Sequence, residues 1–199
     1  MIDGALWAVD GDGSTPISEE EAEGLLPSWV ATRGDLNEVE SRNIAKGLQR
    51  RRPAVGDLLD DAYLRDLHWA IFGDVWVWAG KTRSVGLNFG VPVEQIAERL
   101  RVVVDDAKVW LEYGTFDEDG RLARFHHRLV WVHPFPNGNG RWARAATDLL
   151  AMALDVAPFT WGAGLDVSTK DLRRRYQQAL QRADVDHDDV ADLVSFARS

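Results

Sequence analysis

The chain of 199 residues contains no cysteine. That excludes disulfides, thiolate zinc sites and a cysteine nucleophile. Positive charge is in deficit, with 23 Lys plus Arg against 32 Asp plus Glu and a formal charge of −9. Proteins that track nucleic acid carry the opposite balance, so bulk DNA or RNA is set aside as a partner. Long apolar runs are missing too. None approaches the ~18 residues that span a bilayer, and Val102-Val103-Val104 meets Asp105-Asp106 at once. Residues Met1 to Gly13 show neither a basic flank nor an apolar stretch of leader length. The expectation is a soluble cytoplasmic protein with no membrane partner. What the chain does have is 45% hydrophobic and 28% charged residues with nine tryptophans, the profile of a folded domain with one sizeable core.

Periodicity predicts an all-α fold with one small β-hairpin. Residues 1–17 read as loop and 18–26 as a short acidic helix. Asp35, with Glu38 three residues on, predicts an N-cap for a helix over 36–51, whose stripe is Leu36, Val39, Ile44 and Leu48. The cations of 50–52 suit that helix's C-terminus. Asp57 predicts a cap for 57–72. Val85, Leu87, Phe89 and Val91 alternate with Ser84, Gly86, Asn88 and Gly90, a period of two that predicts a hairpin over 82–91. Further helices are expected at 92–112, 121–132, 140–154, 169–183 and 187–197, with a loop over 155–167. The divisions expected are an N-terminal extension (1–34), a core (35–165) and C-terminal helices packed on it (166–199).

Chemistry concentrates in His133-Pro134-Phe135-Pro136-Asn137-Gly138-Asn139-Gly140-Arg141-Trp142-Ala143-Arg144. Two prolines must break the preceding helix. Two glycines flank Asn139 where the next helix begins, so backbone amides and the helix N-terminus form a nest for an anion. Arg141 and Arg144 lie three apart, which predicts one shared face and two guanidinium groups reaching the same anion. His133 lies beside that spot, and a neutral imidazole can take a proton from a hydroxyl. Together these parts describe phosphoryl or nucleotidyl transfer. The plainer alternative is a helix-to-helix turn with solvated arginines.

This stretch resembles the signature of the Fic (Fido) family, His-Pro-Phe-x-Asp/Glu-Gly-Asn-Gly-Arg-x-x-Arg, at every defined position but one. The approach from Phe125 to Val132 resembles the helix before that signature. Trp78-Ala79-Gly80-Lys81-Thr82-Arg83 resembles the segment leading into the family's flap. Within the family, the chain is most similar to the bacterial group called mobile mystery protein B. The resemblance implies a protein adenylyltransferase, moving AMP from ATP to a Ser, Thr or Tyr hydroxyl of a target protein. By the same resemblance His133 is the base, and Gly138, Asn139 and Gly140 hold the α- and β-phosphates. Arg141 and Arg144 bind the β- and γ-phosphates, and Ser84, Val85, Gly86, Leu87, Asn88 and Phe89 form a flap that docks the target by strand addition.

The departure is Asn137, where the family has an acid that binds Mg²⁺. A neutral amide oxygen is a poorer ligand for that ion, and asparagine also suits a turn. Metal binding is therefore expected to be weakened. Other uses of the site stay open: phosphate transfer, removal of AMP, or nucleotide binding with little catalysis. The family's inhibitory motif, Ser/Thr-x-x-x-Glu-Gly/Asn, has no match. The nearest segment is Thr32 to Asn37. Inhibition is then expected from a separate chain, as in toxin–antitoxin pairs, or not at all. A calcium-loop-like run over 10–21 lacks the glycine at its sixth position and reads as acidic surface. His126 and His127 read as structural, His68 and His187 as packing or solvent. Trp131 and Trp142 read as packing anchors beside the motif.

Overall fold

The computed structural model describes residues 23–49, 51–187 and 189–199. The readings over 1–17 and 10–21, most of the 18–26 helix, and Arg50 lie outside them. Eight α-helices stand among the described residues: α1 (Arg33–Leu48), α2 (Val55–Leu58), α3 (Asp61–Phe72), α4 (Ile96–Tyr113), α5 (Glu118–Val132), α6 (Asn139–Ala153), α7 (Thr169–Val185) and α8 (Ala191–Arg198). A single 3₁₀ turn, Val93–Gln95, leads into α4.

Side-chain caps set half of these starts. Thr32, not Asp35, caps α1. Asp35 sits at the third helical position and completes a capping box with Thr32. Moving the start back by one turn leaves the acid where it meets two free backbone amides, at Ala31 and Thr32. The expected 57–72 helix is broken, because Asp60 caps Tyr63 at 2.9 Å and starts α3 afresh. Asp117 caps α5 through Gly120, and Ser168 caps α7 through Asp171. Arg51 donates to the Gly47 carbonyl at 2.7 Å, closing the C-terminal turn of α1 as a cation should.

The centre is the antiparallel pair α5 and α6, joined by the signature loop. Leu122, Phe125, Leu129 and Val132 of α5 are buried, as their spacing predicts. α6 buries a ladder of small residues, Ala143, Ala145, Ala146 and Ala151, around the large Trp142. Alanines let the helix axes come close, and Trp142 fills the space beside them, its indole donating to the Leu64 carbonyl at 2.8 Å. α1 packs on α3, α4 on α5, and α7 and α8 form a pair against α5. Arg198 of α8 clamps Asp119 of α5 and the carbonyls of Ala157 and Pro158.

The hairpin expected over 82–91 is not formed; no strand pairing spans these residues. Val85, Leu87 and Phe89 are 69%, 42% and 54% exposed. Alternation without a surface to cover cannot hold two strands together. The segment is instead tied at its ends to the signature loop. The Arg83 amide donates to Pro134 O at 2.9 Å, and the Val91 amide to Val132 O at 3.4 Å.

Candidate active site

The signature loop leaves α5 through His133, which takes a left-handed conformation at φ 51°. That turn is rarely adopted by a residue with a side chain. It is held here by contacts on three sides. Arg83, itself buried, donates from Nε to the His133 carbonyl at 2.8 Å. Its other nitrogens bond the carbonyls of Val85 and Val91. Phe89 presents its ring edge-on to the imidazole at 4.7 Å. Gly90 (φ +79°) allows the segment to pass, since a Cβ there would lie 2.7 Å from His133 Cβ. Burial pushes the His133 imidazole down to about 4, with the Arg83 charge acting the same way against a bond to the Val130 carbonyl. The ring is thus neutral at pH 7 and able to accept a proton.

Beyond His133 the loop is braced internally. Asn139 is buried and turns its side chain back to Phe135, accepting from the amide at 3.0 Å and donating to the carbonyl at 2.8 Å. Gly138 (φ +78°) sits against Phe72, whose ring atoms would lie 2.6 Å from any added Cβ. Gly138, Asn139 and Gly140 bring their backbone to the N-terminus of α6, where the helix's free amides and dipole favour an anion.

The two arginines part company. Arg144 lies over the Tyr176 ring at 5.4 Å. Tyr176 in turn bonds buried His126 at 2.8 Å, and burial pushes its phenol up to about 12. Arg141 is buried against α1. It is held by Glu40 of α1 through Nη1 at 2.6 Å and Nη2 at 3.1 Å, above the Phe72 ring. Glu40 also accepts from Trp76 Nε1 at 2.8 Å. The guanidinium groups expected to share one anion have different partners, a buried carboxylate for Arg141 and the Tyr176 ring for Arg144, while both residues border one cavity.

Asn137 is exposed, and its Oδ1 accepts from the Gly138 amide at 2.7 Å. Among the described residues no group of three or more His, Asp or Glu side chains gathers to hold a metal. A single neutral oxygen already engaged in a turn does not fit a resident Mg²⁺. The structure gives Asn137 the turn role.

A cavity of about 390 Å³ opens over the loop. One wall is His133, Gly138, Gly140, Arg141 and Arg144. The opposite wall comes from α7 and α8, through Leu172, Arg173, Tyr176, Gln177, Leu180 and Phe196. Trp161 lines it too, at φ 53°, with its indole shared between both Asp148 oxygens at 3.0 Å. Sequence spacing could not reveal Glu40, Arg83, Tyr176, Asp148 or Trp161 as parts of one site. Trp142, within the motif, is a core packing anchor, as its reading from the sequence has it.

Residues 58–151 match the model of the Fic/DOC family. The chain carries a Fic-family domain, and its helices have the Fic fold. It is similar to the protein adenylyltransferase fic-1 of Caenorhabditis elegans, at 34% identity over 148 residues, 70% of this chain and 26% of that relative. The chain thus spans about a quarter of the curated relative it matches. It superposes on the N-terminal Fic domain of a putative cell filamentation protein from Bartonella quintana with a TM-score of 0.65 and 19% identity, covering 96% of this chain and 90% of that one. The BepC protein of Bartonella tribocorum, solved with bound AMPPNP, gives 0.61 and 18%, covering 91% and 97%. The comparisons reach the family; the likeness to the mobile mystery protein B group rests on the sequence alone. No described helix is long and apolar enough to cross a membrane.

Proposed function

We propose that the chain is a protein adenylyltransferase that moves AMP from ATP to a Ser, Thr or Tyr hydroxyl of a target protein. The observation that carries this is the neutral, half-buried His133 set beside the N-terminus of α6 and Arg144 on one cavity. Phosphates seated on the Gly138–Gly140 backbone lie where the helix dipole and Arg144 meet them. His133 takes the proton from the target hydroxyl as its oxygen attacks the α-phosphorus, and pyrophosphate leaves. No step depends on a metal held by the protein. Magnesium, if used, arrives on the nucleotide.

The exposed backbone of Ser84 to Phe89, ending in the ring that touches His133, is the surface on which a target segment would lie. The proposed organisation is a core over 35–165, with the helices of 166–199 completing the cavity. Restraint by a separate chain belongs to the same proposal, and an unrestrained enzyme is the other outcome left open by the missing inhibitory motif. A second reading, nucleotide binding with little turnover, is favoured by Glu40's hold on Arg141 and by neutral Asn137.

The test is mass spectrometry of candidate proteins incubated with the chain and ATP. A gain of AMP that His133→Ala abolishes is expected. A gain of phosphate, or nucleotide binding with no modification, would overturn the proposal.

A further inference from the structure

His68 of α3 is fully buried, 69 residues before its partner in the signature loop. Its ring stacks on Phe135 at 3.7 Å and packs near Phe72 and Trp78. Both nitrogens are engaged. The Gly80 amide donates to Nδ1 at 2.9 Å, and Nε2 lies 3.1 Å from the Asn137 carbonyl. A backbone amide can only donate and a carbonyl can only accept. The ring must therefore be neutral, with its proton on Nε2. Burial agrees, pushing this imidazole down to about 3, with Arg141 acting the same way. A buried histidine fixed in one tautomer by two backbone groups from different segments is more than packing.

The consequence follows from peptide geometry. In a trans peptide the carbonyl and the next N–H point in opposite directions. Drawing the Asn137 carbonyl inward to His68 turns the Gly138 amide outward, to the side where Asn137 Oδ1 now accepts it. That amide belongs to the proposed anion nest at the start of α6. The other end of the ring holds Gly80, three residues before Arg83, which fastens the flap segment to His133. We infer that His68 is a positioning residue that sets the orientation of the Asn137–Gly138 peptide for phosphate binding and locks the phosphate loop to the stem of the flap.

This inference rests on the proposed function for its ligand, and its test separates the two. On the wild-type protein, ¹⁵N NMR of the imidazole is expected to show Nε2 protonated, Nδ1 bare, and no titration between pH 5 and 8. A ring that protonates in that range, or carries its proton on Nδ1, overturns the inference whether or not the protein is active. His68→Phe keeps the ring stack and removes both hydrogen bonds. His68→Gln offers one donor and one acceptor and serves as the conservative variant. His68→Phe is expected to speed hydrogen exchange of the Gly80 amide at least tenfold. It should also weaken ADP binding by about three- to tenfold, the effect of a lost hydrogen bond. His68→Gln should restore both to within about threefold. Equal behaviour of the two variants, or unchanged exchange in His68→Phe, overturns the inference. If wild type binds no ADP, the proposed function fails, while the exchange and NMR results still judge His68.

Discussion

Removing the carboxylate of Glu40 should destabilise the fold more than any other single polar change in the bundle. Glu40 is 2% exposed and accepts three hydrogen bonds, two from Arg141 and one from Trp76. At an effective dielectric of 20, two charges ~4 Å apart attract by about 4 kcal/mol, which offsets the cost of taking both out of water. Glu40→Ala leaves the guanidinium buried without its partner and the Trp76 indole without an acceptor. The expected loss is about 3–5 kcal/mol for the broken pair, with about 1 kcal/mol more for the indole. Against a typical total of ~5–15 kcal/mol this approaches global unfolding. Glu40→Gln, which keeps the shape and one oxygen, is therefore the working variant, with an expected loss of about 2 kcal/mol. Glu40→Leu combined with Arg141→Met removes both charges and should recover to within about 1.5 kcal/mol of wild type. Urea unfolding followed by tryptophan fluorescence measures all of these, and the cycle of Glu40→Leu, Arg141→Met and their double yields the coupling. A coupling below about 0.5 kcal/mol would mean that Arg141 does not depend on Glu40, and the assignment of this arginine to the bundle would fall.

Three further changes probe the site. Asn137→Asp supplies the missing carboxylate, and magnesium-dependent labelling by ATP should rise; equal or lower labelling would show that position 137 acts only through its turn. Gly90→Ala forces a left-handed alanine and a 2.7 Å approach to His133 Cβ. It should cost about 1–2 kcal/mol of stability and at least tenfold in activity, and full activity would refute the packing argument. Burial pushes the Asp148 carboxyl up to about 7, above its unfolded value of about 3.9. Wild type should therefore lose stability as pH rises from about 4 to about 7, whereas Asp148→Asn should not. The variant's relative gain should reach the order of 2 kcal/mol, from ~1.4 kcal/mol per pH unit reduced for partial exposure. A difference that is flat with pH would contradict the buried, raised carboxyl.

Contiguous features were readable in the sequence, and long-range ones were not. The stretch His133 to Arg144 carries its own turn, helix start and cations, so its role in the fold follows from spacing. The stripes of α5 and α6 are equally plain. The hairpin reading failed because alternation reports which residues could share a face, and among the described residues no surface buries Val85, Leu87 and Phe89. Glu40 left a signal that can be recognised afterwards. The buried face of α1 is Leu36, Glu40, Asn43 and Ile44, and two polar residues on a core stripe ask for partners. Which partners they are, across 101 residues for Glu40 and Arg141, no local pattern can say. His68 hid for the same reason, as a histidine on an apolar helix looks like any packed one until Gly80 and Asn137 are seen at its two nitrogens.

The far wall of the cavity has a consequence for the order in which the site comes into being. Everything that defines the family match ends by residue 151, yet the facing surface begins at Thr169 and ends with Phe196. A nascent chain on the ribosome displays the whole signature, His133 included, while the trough over it still has one open side. Only when α7 and α8 have emerged and Arg198 has closed on Asp119 does the trough gain its second wall. Synthesis itself therefore withholds the finished site until α8 has left the ribosome.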